Sequence, residues 1–164
     1  MKNVRMDSTV AFRLSSLAAV VTDQFAARIE VLGLKPRHAD LMAAVAGGAP
    51  RSQQDLARTL GVAPSLIVAL ADHLETLKAL QRVRDPRDRR RQVLTLTRRG
   101  RTLLAACTAH ARAVDADLTA RLVPLERDML HHVLGTLAPG RAEPQPPART
   151  RTRTRTPAQT RPSA

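Results

Sequence analysis

Nine arginines and two aspartates fall between residues 82 and 101, in the stretch RVRDPRDRRRQVLTLTRRGR. A guanidinium is always charged and presents a planar fork of donors suited to phosphate oxygens, so this cluster points to holding a polyanion rather than to making bonds. Six further arginines and one glutamate lie beyond Gly140, and the two stretches together carry all but one unit of the formal net charge of +13. Nucleic acid is the first partner such a balance suggests, an acidic membrane surface the second.

Other reactive side chains do not assemble into a pattern. Cys107 and His110 stand about one helical turn apart and His38 is the third possible member, but a metal site needs three or four ligands at defined spacing. Cys107, on an alanine-rich stretch, reads as a small core residue, and His131-His132 point to different sides of one helix, as surface or interface positions. The sequence shows no phosphate-cradling glycine loop, His-x-x-x-His pair or nucleophile elbow, so the expectation is a protein without enzymatic activity, cofactor or metal. A single cysteine excludes an internal disulfide framework. The apolar run LSSLAAVV is too short to span a membrane and shows no clear cleavage site. A cytoplasmic, non-membrane protein is expected.

The elements that must position the arginines can be read from periodicity and punctuation. Phe12, Leu14, Leu17, Val20, Val21, Phe25, Ile29 and Leu32 recur mostly at three- and four-residue steps, as in an amphipathic helix that Gly33 stops. Pro36 opens a second helix carrying Ala39, Met42, Ala43 and Val45 into the turn Gly47-Gly48. Ser52 and Asp55 form a capping-box pattern ahead of Leu56, Ala57 and Leu60. Gly61 closes that helix and Pro64 opens the next, whose Ile67, Leu70, Ala71 and Leu74 share one face and leave Ser65, Leu66, Val68, Ala69, Asp72 and His73 on others. This is a helix-turn-helix pattern.

Extended signals follow at LQRVR and QVLTLT, with DPRDRR as the tip of a hairpin between them. A helical pattern resumes from Thr97 to about Leu122, and Pro124 opens another ending near Leu137. With two aromatics in the whole chain, the core must be built from small aliphatics, and long terminal helices with apolar stripes fit burial against a second copy. The expected fold is therefore mainly α with a small β-hairpin wing. Dimerisation helices are expected at about 8–33 and 100–138, flanking a winged helix-turn-helix at about 34–99. Beyond residue 140, the Thr/Arg/Pro-rich segment 141–164 has no apolar periodicity and is expected to be a disordered basic tail.

The stretch DPRDRRRQVLTLTRRG resembles the wing of the MarR family of bacterial winged-helix transcription regulators, with Asp88, Arg90, Leu96, Thr97 and Gly100 on the family's spacing. LARTLGVAPS and the Leu-Glu of ADHLE fall at its helix-turn-helix; the resemblance in motif runs from about Leu34 to Leu104. It implies a homodimer on double-stranded DNA, reading a pseudo-palindromic operator with recognition helices in major grooves and wings in adjacent minor grooves. It also implies that Arg90 is the minor-groove finger, that Asp88 orients the wing's arginines, and that Arg87, Arg89 and Arg91 meet phosphates. The candidate contacts upstream are Ser52, Ser65, Leu66, Val68, Ala69 and His73.

Two departures stand out. Val68 and Ala69 occupy positions where many relatives have Thr and Arg, which removes bidentate base hydrogen bonds there and leaves Leu66, Val68 and Ala69 to meet thymine methyls. Lys78 stands where the family commonly has a helix-ending glycine, at a cost of about 1 kcal/mol if its φ is positive. Members of the family often respond to small ligands held between the dimerisation helices and the DNA-binding lobe, and Arg37 and His38 are the nearest polar groups for such an effector. The expected function is a DNA-binding regulator, most simply a repressor. The alternative is a winged-helix protein-interaction or RNA-binding factor without operator specificity.

Overall fold

The computed structural model describes residues 5–48, 52–85, 90 and 92–137. In chain order they form α1 (Val10–Ile29), α2 (Pro36–Ala46), α3 (Gln53–Leu60), α4 (Pro64–Thr76), β1 (Leu80–Arg84), β2 (Gln92–Leu96), α5 (Arg98–Leu118) and α6 (Pro124–Leu137). Single 3₁₀ turns stand at Met6–Ser8 and Glu30–Leu32. The mainly α architecture with one antiparallel hairpin is the expected one. The basic segment 141–164 and the wing residues Arg87, Asp88, Arg89 and Arg91 lie outside the described residues.

Local chemistry sets most boundaries. Ser52 caps α3: its Oγ accepts from Asp55 N at 3.2 Å while Asp55 Oδ2 accepts from Ser52 N at 3.1 Å, so two otherwise orphaned donors are satisfied reciprocally. Gly61, at φ 63°, ends α3 in the left-handed region, and Pro64 follows at the start of α4. Helix α4 ends on Lys78, whose φ of 56° is left-handed. Lys78 N donates to Glu75 O and Ala79 N to Leu74 O, each at 2.8 Å, so the helix does end at the glycine-type position with lysine in it.

The hairpin register runs from Leu80 opposite Leu96 to Arg84 opposite Gln92. Its base is fastened to α5 at one point. Thr97 N donates to Ala79 O at 3.0 Å, the Thr97 hydroxyl donates to Lys78 O at 2.7 Å, and the same Oγ1 accepts from Gly100 N at 3.0 Å, capping α5. An α5 reaching Leu122 was the sequence expectation; the helix stops at Leu118 instead. The Thr119 hydroxyl donates back to Asp115 O at 2.7 Å and Leu122 N donates to Thr119 O at 3.0 Å, making the turn that Pro124 needs ahead of α6.

One core joins the helix-turn-helix to the terminal helices. Ile29 of α1, Leu41 and Met42 of α2, Leu56 of α3, Ile67 and Leu74 of α4, Leu80 and Leu94 of the hairpin and Cys107 of α5 are all buried in it. Full burial of each large aliphatic is worth about 1.5–3 kcal/mol. Burial pushes the Cys107 thiol above its usual pKa, which keeps it protonated and unreactive. In contrast, Phe12, Leu14, Leu17 and Val20 on α1 and Leu125, Met129, Val133 and Leu137 on α6 are exposed.

Candidate nucleic-acid interface

Helix α4 buries Ile67, Leu70, Ala71 and Leu74 and turns Ser65, Leu66, Val68 and Ala69 outward. Both proline placement and the apolar spacing require this: the i, i+3, i+4, i+7 set faces the core, so the intervening residues cannot. The hairpin runs beside α4, and Arg84 and Arg90 are exposed on it. A helix with a free outer face next to an arginine-bearing hairpin can enter a major groove while the hairpin reaches the neighbouring backbone or minor groove.

Arg82, at the third residue from the Ala79 knot, ties these two parts together. Its Nη2 donates to Asp72 Oδ1 at 2.7 Å, its Nη1 to Glu75 Oε2, and its backbone N to Glu75 Oε1 at 3.1 Å. Counted by charge alone, Arg82 belongs with the phosphate-facing arginines. The fold instead spends its guanidinium on two carboxylates of α4, and half-burial keeps that pair stronger than a surface ion pair.

The other candidate residues separate by role. Ser52 is occupied as the α3 cap, its hydroxyl also donating to Asp55 Oδ2 at 2.7 Å. His73 is expected from sequence among the outward residues. In the fold its Nε2–H donates to Gly33 O at 3.0 Å and its ring stacks on His38, centroids 4.4 Å apart and planes 14° from parallel. It fastens α4 to the α1–α2 turn, a tie that no local pattern announces because the partners are far apart in sequence.

The MarR family pattern matches residues 32–91, which span α2 through the wing. CouR, a transcriptional repressor solved on a 23-mer DNA duplex, is 28% identical with a TM-score of 0.71, over 84% of this chain and 97% of that one. The MarR family protein Rv2887 of Mycobacterium tuberculosis, solved in complex with DNA, is 27% identical with a TM-score of 0.71, over 80% of this chain and 99% of that one. Over its winged helix, and in overall fold, the chain resembles MarR-family transcriptional regulators. CouR from Rhodococcus jostii RHA1 bound to p-coumaroyl-CoA is likewise similar, at 25% identity and a TM-score of 0.70 over 85% of this chain and 99% of that one. No curated protein sequence matches. These likenesses support a DNA-binding transcriptional regulator, and among the described residues no helix is long and apolar enough to cross a membrane.

Arg37 and His38, the two residues expected to meet a ligand, lie in different surroundings. Arg37 lines a cleft of about 450 Å³ together with Val21, Thr22 and Phe25 of α1, Asp40 of α2, and Val114 and Asp115 of α5, and it pairs with Asp40 at 3.5 Å. His38 points the other way. It is 6% exposed, lies against His73, and its Nδ1 accepts from Lys35 N at 2.9 Å, capping α2. Of the two, Arg37 lines the cleft, while the His38 ring is taken up by His73 and Lys35.

Burial first, then His73 and Lys35, lowers the His38 pKa from 6.5 to about 4. The unfolded chain binds a proton near pH 6.5 while the folded chain resists it, so His38's contribution to stability is whole above about pH 6.5 and is lost as pH falls through about 4. A His38→Gln variant keeps an acceptor for Lys35 N and removes the titration. Its stability is expected to fall less steeply than the parent's over that window in thermal melts; parallel slopes would assign the titration elsewhere.

Proposed function

We propose that the protein is a homodimeric repressor that occupies a pseudo-palindromic operator and leaves it when a small ligand fills the α1–α2–α5 cleft. The carrying observation is the juxtaposition of the exposed outer face of α4 with the arginine-bearing hairpin, on the lobe that matches the family. Two such lobes on one dimer reach half-sites about one helical turn apart. The apolar faces of α1 and α6 supply what a second copy would cover, since exposed stripes of this kind mark protein interfaces. In this reading Arg90 enters the minor groove, Arg87, Arg89 and Arg91 contact phosphates and Asp88 orients them. The basic segment 141–164 adds non-specific affinity through counterion release.

The ligand side of the proposal rests on Arg37 and on the cleft's mixed walls, apolar from Val21 and Phe25 and polar from Asp40 and Asp115. A ligand acts there only if it binds a dimer with misplaced recognition helices better than the DNA-competent one. Gel shift against the gene's own upstream region is the direct test. Binding there is expected to exceed binding to random duplex, whereas equal binding would favour the winged-helix interaction or RNA-binding reading. Arg90→Ala is expected to weaken operator binding several-fold at fixed salt and leave the sedimentation coefficient unchanged. Unaltered affinity removes the wing from the mechanism.

A further inference from the structure

Every polar side chain in the second half of α4 is already committed within the protein. Asp72 and Glu75 are held by Arg82, the His73 ring nitrogen is given to Gly33 O, and the Thr76 hydroxyl donates to His73 O at 2.7 Å. What the helix offers a duplex is its first two turns, where Leu66 is 39% and Val68 40% exposed beside Ser65 and Ala69. Leu, Val and Ala carry no donor or acceptor and cannot distinguish bases by hydrogen bonding. The one major-groove feature that an apolar side chain recognises is the C5-methyl group of thymine.

We infer that α4 reads thymine methyls at A·T pairs near the centre of each half-site, an inference that rests on the operator reading above. The face is continuous with the DNA-binding surface of α4 and the wing, which gives it its occupant. The span from Ser65 to Ala69 covers about 6 Å along the helix axis, or roughly two base-pair steps. Each half-site therefore presents at most two adjacent methyl contacts. A cytosine at the same place puts an amino donor against Leu66 or Val68, where it has no acceptor, so G·C is disfavoured as well as unrewarded. Specificity at these positions is chemical, while the wing reads groove shape.

The test uses the full-length protein. Its operator is first selected from random duplexes, and each thymine is then replaced singly by uracil, which keeps every hydrogen bond and deletes the methyl. Binding is expected to weaken about three- to fourfold for each contacted methyl, the worth of one buried carbon, at one or two adjacent positions per half-site. Val68→Ala and Leu66→Ala are expected to shrink that penalty below twofold while leaving the melting temperature unchanged, because both side chains stand at the surface. Uracil half-sites bound as tightly as thymine ones overturn the inference and leave operator binding intact. A selection that enriches no sequence overturns the operator reading and the inference with it. A Val68→Ala protein whose oligomeric state changes shows that another protein copy covers this face, and also overturns it.

Discussion

Replacing Gly100 with alanine is expected to destabilise the fold by about 3 kcal/mol, near the upper end of overpacking substitutions, and to lower the melting temperature by roughly 10 °C. An alanine Cβ at this position would stand 2.0 Å from the Ala79 carbonyl oxygen and 2.9 Å from its carbon. Neither neighbour is a side-chain end that can swing aside. The same carbonyl accepts from Thr97 N, so moving it also loosens the cap of α5 and the base of the wing. Helix propensity alone favours alanine over glycine by about 1 kcal/mol, which makes the sign of the result decisive. A melting temperature equal to or above the parent's would show that α5 and the Ala79 turn can separate at little cost.

Arg82→Met is expected to lower operator affinity tenfold or more, the larger of the two functional losses predicted for single arginines. Helix α4 has no lysine or arginine; its charged residues are Asp72 and Glu75. Arg82 neutralises both and holds the hairpin against the helix at the same time. Without it, two uncompensated carboxylates remain on the helix that meets the polyanion and the wing loses its tether, so both long-range Coulomb repulsion and misplacement act against binding. A double-mutant cycle with Arg90→Ala, followed by anisotropy of a labelled operator, separates the two parts. If Arg82 works partly through the wing, the combined loss falls short of the product of the single losses. Strict multiplicativity confines Arg82 to the helix, and an Arg82→Met protein with parental affinity removes the clamp from the mechanism altogether.

The features that were legible in the sequence are those encoded within a few residues. The Ser52 and Asp55 capping box, the Gly61 and Pro64 punctuation and the Ile67, Leu70, Ala71, Leu74 face each rest on contacts inside one or two turns. The Val- and Thr-rich runs around the arginine cluster gave the hairpin in the same way. Arg82 looked like one more solvent-facing cation because its partners lie across a turn, on the preceding helix. The contact between His38 and His73 was out of reach for a related reason: a stack between residues from α2 and α4 exists only once the α1–α2 turn is folded over α4. The need for glycine at position 100 is likewise tertiary, since nothing local to α5 demands it. Lys78 was the reverse case, where the resemblance identified the strained position and the φ of 56° agrees with it.

Helix α1 is twenty residues long, yet Ile29 at its last turn is its one buried side chain. Phe25 packs against the core and Arg28 pairs with Asp117 of α5, but most of the helix's length lies outside the protomer's interior, and an isolated helix of that length is only marginally ordered in water. In the proposed homodimer its order becomes a shared property of two copies, and the amount of competent regulator then rises faster than the amount of polypeptide made. A cell carrying few copies would hold disproportionately little of the assembled form. The gene product's own abundance then acts as a threshold on its activity, before any ligand is considered.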